Sequence, residues 1–476
     1  MKQTEVTLNN KSLNTFTILF FVIATASPLT GVVGALPISF LAGNGAGVPG
    51  IFLLVGILLT IFSFGFIAMS KYISNSGAFY AYISNALGVK LGLSGLSAAL
   101  LTYIAMIVSC SAMFGFFTQK FIGDMFHLYL PWWFYTLGLQ ILVTLLGILK
   151  VEVGSKVLGL IMLLEIGIIF LLDFSILKLP LDVEFSSFQP TTIFSGSFGF
   201  AFVMAVCSFI GFEATAIYSE ECENPHKVIK KVTFLSISII AVFYAFTSWT
   251  FVQFNGANHI VDVVSKDPGN FIFNLATQVL GPWAVIVINI LLITSLFAAT
   301  QALHNSLARY LYVMSKDGLI HSALSKIHKR HHTPYKTSIF QSIFFTTIFI
   351  FIILFQLDPI VHVFAWASAV GSISFLTLLL GVSISIIFFF QKKDFLYQAS
   401  LWSRFIAPTI SAIFIIIILI FVVKNIKMIS GVNSNLIQYL PWLVIGSITF
   451  GYFYACYLQF KRVDLYRKLH KNIQEI

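Results

Sequence analysis

GSFGFAFVMAVCSFIGFEATAIYSEECENPHKVIKK, residues Gly196 to Lys231, is the stretch on which the reading of the fold turns. It opens as an apolar run of membrane-helix character. At Ser208-Phe209-Ile210-Gly211-Phe212-Glu213 a glycine and an ionisable carboxyl group interrupt that run, and the stretch ends in a polar cluster of Glu220, Glu221, Glu223, Lys227, Lys230 and Lys231. A carboxylate in hydrocarbon costs about 3 kcal/mol even on lenient insertion scales, so an acid in such a place is a functional candidate by default.

Composition places the whole chain in the membrane. Hydrophobic residues make up 58% of it and charged residues 10%, with a mean hydropathy of +0.93; a soluble domain would carry about 25% charge. Twelve apolar runs of spanning length recur from end to end, each long enough to cross hydrocarbon as a helix. The alternating pattern of barrel strands is absent. The expectation is an all-α integral membrane protein of twelve transmembrane helices. The polar tail before the first run lacks a small-residue cleavage site, so that run is read as retained.

The formal charge of +10 is explained by its distribution. With the N-terminus taken as cytoplasmic, only Lys120, Lys178, Lys266, Lys424 and Lys427 of the 28 Lys and Arg fall in outer loops, which is the positive-inside pattern. Both termini are therefore expected inside a cell membrane, the lipid bilayer is the expected surroundings, and nucleic acid is not an expected partner. Cys110, Cys207, Cys222 and Cys456 lack metal-type spacing, so no disulfide, metal or cofactor is expected. His321, His328, His331 and His332 lie in a basic loop, where solvation is a better reading than metal binding.

Span 1, about Leu13 to Phe40, carries Ser27, Pro28, Thr30, Gly31, Gly34 and Pro37. That is too many breakers for one straight helix, and the backbone groups they free need partners from protein, water or a solute. Spans 1 and 6 are thus both interrupted. If residues 13-173 (spans 1 to 5) and 194-391 (spans 6 to 10) are two copies of a five-helix unit, the breaks occupy matching first positions, and an odd number of spans inverts the second copy. Residues 402-460 hold spans 11 and 12; 1-12 and 461-476 are cytoplasmic tails. Paired, discontinuous segments of this kind point to a central site in a secondary transporter. Amides and carbonyls freed at Ser27, Thr30, Gly31 and Gly34 and at Ser208, Phe209, Ile210, Gly211, Phe212 and Glu213 would suit the carboxylate and ammonium groups of an amino acid.

At these residues the chain resembles the amino acid, polyamine and organocation (APC) permease superfamily. Ser208 to Glu213 followed by Glu220-Glu221 and Asn224-Pro225 is similar to that family's sixth-span pattern; Gly77-Ala78-Phe79-Tyr80 is similar to its second-loop pattern. Ala308-Arg309 with Asp317-Gly318 and Thr333-Pro334 matches the segment after span 8. The resemblance implies the five-plus-five inverted-repeat fold of the LeuT and APC type, alternating access, and uptake or exchange of amino acids or amines, often coupled to protons. Two departures matter. Cys207 stands where some members place an aromatic residue, and Glu165 stands where several relatives place a lysine.

Glu165 lies nine residues beyond Lys156, about 13 Å deep at helical rise. It and Glu213 are the two charged residues expected in the apolar interior. For Glu165 the functional reading is proton coupling, against a permanently neutral acid that bonds a neighbouring helix. For Glu213 a substrate contact, a proton site and a fixed acid at a helix start remain open. Tyr103, Cys207, Thr294, Ser295 and Trp366 are possible gate or pocket residues, against simple packing. The expected function is a permease, not an enzyme, moving an amino acid as monomer or homodimer, with the proton as coupling ion or by exchange; the alternative is a polyamine or cationic amino acid antiporter. An enzyme would need a nucleophile with its base or a metal cluster, and a channel a filter-like repeat.

Overall fold

A computed structural model describes residues 15–73, 78–149, 154–217, 224–328, 331, 333–392, 398–425 and 439–474. Among them every regular element is a helix, as hydrocarbon demands of backbone that must satisfy its own polar groups. Nine helical stretches among the described residues are long and apolar enough to cross a membrane. The first, Thr15–Ser70, holds both expected spans 1 and 2; expected spans 4 and 6 coincide with the shorter apolar helices Trp132–Ile148 and Phe198–Cys207.

Span 1 is regular only over Thr15–Ala26. Ser27 then takes φ 47° and ψ 73°, a left-handed conformation that is costly for a side chain of its kind. Helix resumes in short pieces, Pro28–Thr30, Gly31–Ala35 and Leu36–Ser39. Proline stands in the first turn of the first and third pieces, as Pro28 and Pro37, where its fixed φ suits the helix and its missing N–H costs nothing. Span 6 behaves alike: Phe198–Cys207 gives way to turns over 208–213, and helix returns at Ala214–Ile217.

Uninterrupted helices frame the two breaks. Span 3, Val89–Phe126, is 38 residues long and packs against span 4, span 8 (Pro282–Lys316), span 10 (Ala365–Gln391) and span 12 (Leu440–Lys461). Span 2 (Val48–Ser70) lies along span 7 (Pro225–Asn255). Span 5 (Gly154–Leu177) touches spans 1, 7 and 8. Like spans 7 and 8, it is a continuous helix placed to hand a side chain to the broken one. The helix Val463–Gln474 follows span 12 and packs on the helix Ala78–Leu87, with Leu465 against Gly318. Beside it, desolvation pushes the Asp317 carboxyl above the usual carboxylate range, against the pull of Lys316 and Lys468.

Lys266 and Lys424, expected in outer loops, close the helices Ile260–Lys266 and Ala407–Asn425, and two further placements also differ from the sequence reading. Lys120, expected in an outer loop, stands within the span 3 helix, half-buried, bonded to Asn270 and 5.5 Å from the centroid of the Phe273 ring. Its long stem packs on apolar neighbours while the ammonium reaches a polar partner, which lets a lysine occupy a helix end. More consequential is Asp173. Expected beyond the end of span 5, it lies inside that helix, 0% exposed, where Thr247 Oγ1 donates to Oδ2 at 2.8 Å and Thr250 Oγ1 to Oδ1 at 2.6 Å. The interior thus holds a third acid, and it ties span 5 to span 7.

Removing that tie should be costly, since Asp173→Ala strands the buried Thr247 hydroxyl and leaves Thr250 only the Thr247 carbonyl, 2.8 Å away, as acceptor. The expected loss is about 2 kcal/mol, read as a fall of several degrees in the thermal midpoint of the detergent-solubilised protein, with a smaller fall for Asp173→Asn. An unchanged midpoint in Asp173→Ala would show that the tie carries no stability.

Candidate functional site

The break in span 1 is held from three sides. Pro28 begins a new helical piece, so the Leu29 N–H is one of the early amides that lack a partner within a helix. Glu165 of span 5, 3% exposed, faces that N–H. Its Oε2 also accepts from Ser295 Oγ of span 8 at 2.7 Å. Ser295 Oγ in turn lies 2.7 Å from Ser27 Oγ, and Ser27 Oγ lies 2.5 Å from Thr30 Oγ1. On the third side, Tyr244 of span 7 donates its hydroxyl to the Pro28 carbonyl at 3.0 Å. A Cβ at position 31 would lie 2.0 Å from that tyrosine oxygen, which is why glycine stands there.

The break in span 6 is held by its own acid. Glu213, 1% exposed, accepts from the Gly211 N–H at 2.9 Å through Oε2 and from the Tyr103 hydroxyl at 2.7 Å through Oε1. Gly211 has φ 116°, a conformation open to glycine alone in practice. A Cβ there would meet Thr25 Cγ2 at 2.5 Å, so the turn in span 6 rests directly on span 1, two residues before Ser27. The two breaks expected from sequence therefore touch. Every partner described for the two carboxyl groups is a neutral donor, an amide or a hydroxyl.

The remaining candidates divide. Ser27, Thr30, Gly31, Gly211, Glu213, Glu165, Tyr103 and Ser295 come together at the crossing of the breaks. Cys207 adjoins it: Sγ lies 3.8 Å from the Met106 Sδ and faces the Ser368 hydroxyl, which pairs with Ser109 Oγ at 2.7 Å. That wall of spans 3, 6 and 10 consists of thiol, thioether and hydroxyl groups. Phe209 packs beside Phe52, and Phe212 sits among Phe62, Phe66 and Phe375 with ring centroids 5.9 to 6.5 Å apart. Ile210 and Ser208 are buried, and Gly34 faces Met113 and Phe364. Thr294 turns its hydroxyl back onto the carbonyls of Ile290 and Leu291, and Trp366 lies edge-on to His362 at 5.0 Å; among the described residues no hydrogen bond or ring contact joins either side chain to the crossing. Glu220, Glu221 and Glu223 lie outside the described residues. Thr25 and Tyr244 were missed, because a threonine or tyrosine inside an apolar run has no pattern that separates it from packing.

The close approach at Gly31 can be tested by a double-mutant cycle. Gly31→Ala should destabilise by about 1–3 kcal/mol through overpacking. In the background of Tyr244→Ala the same change should cost less by more than about 0.5 kcal/mol, since the ring it strikes is gone. Additive thermal-unfolding losses would refute the contact.

Comparison with known proteins bears on the family of the chain. The family model described as amino acid permease matches residues 17–468. The chain is 26% identical over 265 residues to the branched-chain amino acid permease BcaP of Bacillus subtilis (strain 168), covering 54% of this chain and 50% of that one. It is 28% identical over 142 residues to human cationic amino acid transporter 4, covering 29% of this chain and 21% of that protein. It is 23% identical over 214 residues to the uncharacterized amino acid permease YvbW of the same Bacillus strain, covering 42% and 46%. The matches span half or less of the length of these curated relatives. With a family match over nearly the whole chain, two broken helices crossing at its centre and an all-helical membrane architecture around them, the chain belongs to the amino acid permease family of the APC superfamily.

Proposed function

We propose that this protein is a secondary active transporter that carries an amino acid across the cytoplasmic membrane by alternating access, with proton binding at Glu165 as the coupling event. The observation that supports this most is the contact of Glu165 with the span 1 break: a buried carboxyl of a continuous helix accepts from Ser295, which adjoins Ser27, and faces the Leu29 amide. A charged carboxyl in that position attracts both donors strongly, because charge-assisted hydrogen bonds are roughly twice as strong as neutral ones. Protonation halves that hold on span 1. The proton state of one side chain then biases how firmly the broken span is fixed to spans 5 and 8, and a two-state carrier needs such a bias.

The substrate would lie at the crossing, its carboxylate toward the freed amides of span 1 and its ammonium toward the carbonyls of the span 6 turn. Its side chain would face Cys207, Met106, Ser109 and Ser368. These groups carry no charge, which favours a neutral side chain over a cationic one, since a desolvated cation there would lack a partner. The relative named for branched-chain amino acids fits that reading; the relative named for cationic amino acids favours the alternative, with Glu213 as the partner for an added positive charge. The end of the bundle that carries both termini would face the cytoplasm, in keeping with the distribution of Lys and Arg.

Purified protein in liposomes should show saturable counterflow of radiolabelled amino acids, faster with an inward proton gradient. Glu165→Gln should keep counterflow while losing the response to that gradient. Unsaturable ion conductance would overturn the carrier reading; gradient-driven uptake of normal magnitude in Glu165→Gln would overturn the coupling role.

A further inference from the structure

Three hydroxyls link Glu165 to Thr30, and the protons available to them are countable. The contacts are Glu165 to Ser295, Ser295 to Ser27 and Ser27 to Thr30, at 2.7, 2.7 and 2.5 Å. Each hydroxyl has one proton to donate. As placed, Ser295 donates to Glu165 and Ser27 donates to Thr30, which leaves the middle pair of oxygens 2.7 Å apart with no proton between them. Hydroxyl rotors turn to suit their network, so the row is satisfied only when all three donate in the same sense.

There are two such senses. With Glu165 ionised, the Thr30 and Ser27 hydroxyls turn from their placed direction, so that Thr30 donates to Ser27, Ser27 to Ser295 and Ser295 to the carboxylate, and all three protons are spent inside the row. With Glu165 protonated, the carboxyl donates to Ser295, Ser295 to Ser27 and Ser27 to Thr30. The Thr30 hydroxyl proton is then released from the row. One proton has been added at Glu165 and one donor has been set free at Thr30, with no bond made or broken except hydrogen bonds.

Thr30 stands beside Gly31 on the short helical piece after the break, where the freed amides of span 1 lie. We infer that Thr30 is the residue through which Glu165 controls substrate affinity: its hydroxyl is a donor to the substrate carboxylate only when Glu165 carries a proton. This rests on the transport reading above and adds to it a specific link between the bound proton and the bound amino acid. Thr30 would touch the substrate; Ser27 and Ser295 would act through it as positioning residues. The groups described as facing Glu165 are few. They are Ser27, the Leu29 N–H and Thr30 from span 1, Ser295 from span 8 and, within electrostatic reach, Tyr244 from span 7, whose hydroxyl is engaged by the Pro28 carbonyl. On span 5 itself the next acid is Asp173, two turns on and bound to Thr247 and Thr250.

The test is the pH dependence of KM for a radiolabelled mixture of amino acids, measured with the full chain in proteoliposomes in mildly acidic and mildly alkaline buffer. In the unaltered protein KM should be lower in acid. Thr30→Val should raise the acid KM about tenfold, the worth of one charge-assisted hydrogen bond, leave the alkaline KM nearly unchanged, and so abolish the pH dependence although Glu165 is intact. Ser27→Ala, which cuts the row and leaves the Thr30 proton free at both pH values, should abolish the pH dependence in the opposite way, by holding KM at its low acid value throughout, and Thr30→Ser should restore the normal profile. A merely structural Thr30 would shift KM equally at both pH values. Unaltered pH dependence of KM in Thr30→Val, or failure of Thr30→Ser to restore it, would overturn the inference while leaving proton coupling at Glu165 standing. Loss of all saturable uptake in the unaltered protein would overturn the transport reading beneath it. Thermal shift of each purified variant with the same mixture at both pH values reads binding directly, so a variant that binds but does not turn over still decides the matter.

Discussion

Backbone that stops being helical inside a membrane must find its hydrogen bonds elsewhere, and the centre of this protein is organised by that need. Span 1 gives up its helix at Ser27 and span 6 at Ser208. The exposed amides are met in both cases by a carboxyl group: Leu29 by Glu165 and Gly211 by Glu213. In both cases a tyrosine from a continuous helix completes the arrangement, Tyr244 on the Pro28 carbonyl and Tyr103 on Glu213. The two breaks are thus closed by the same kinds of group, though the acid comes from a neighbouring span in one and from the broken span itself in the other. Glu213 belongs to its own turn, whereas Glu165 joins separate helices.

The surroundings are suited to holding one broken element against another without fixing either. Span 2, span 7 and the rings around Phe212 form a dense aromatic packing, with Tyr244 stacked on Phe52 at 4.8 Å. Dense packing of this sort resists gradual deformation and favours discrete alternative arrangements. The contacts at the crossing are different in kind: a few hydroxyls, two amides and two carboxyls, each of which can exchange its partner for a solute of similar polarity. Strong packing at the frame and exchangeable polar contacts at the breaks are what a carrier with two states requires.

How much of this was legible in the sequence follows from the physics of each signal. Glu165 and Glu213 were found because a charge in an apolar run stands out by transfer cost alone, and the breaks because proline and glycine interrupt helices for local reasons. Asp173 escaped because it lies near the end of its apolar run, where a charge passes for the start of a loop. Partners across helices were not legible. Ser295 is 130 residues from Glu165 in the chain, and hydroxyls are common in membrane helices for packing reasons. Thr294, its neighbour, was an equally good candidate by type. One residue of helical rotation, about 100°, separates a hydroxyl that bonds Glu165 from one that folds back on its own helix. Sequence gives the depth of such a residue readily and its rotation poorly.

The third acid sharpens what distinguishes a functional carboxyl from a structural one here. Asp173 and Glu165 share the buried side of span 5, and both accept from hydroxyls of a neighbouring span. Burial and hydrogen-bond number therefore do not separate them. Their partners do. Thr247 and Thr250 stand on one regular helix, and each oxygen of Asp173 is taken by one of them, so protonation would alter a closed local pattern and go no further. Ser295 belongs to a row that ends on a helix already broken, where a change in donor direction at Glu165 has somewhere to go. In a protein with no ion pair described at its centre, the ability to pass on a change in hydrogen-bond direction makes Glu165 the coupling candidate and leaves Asp173 as a tie.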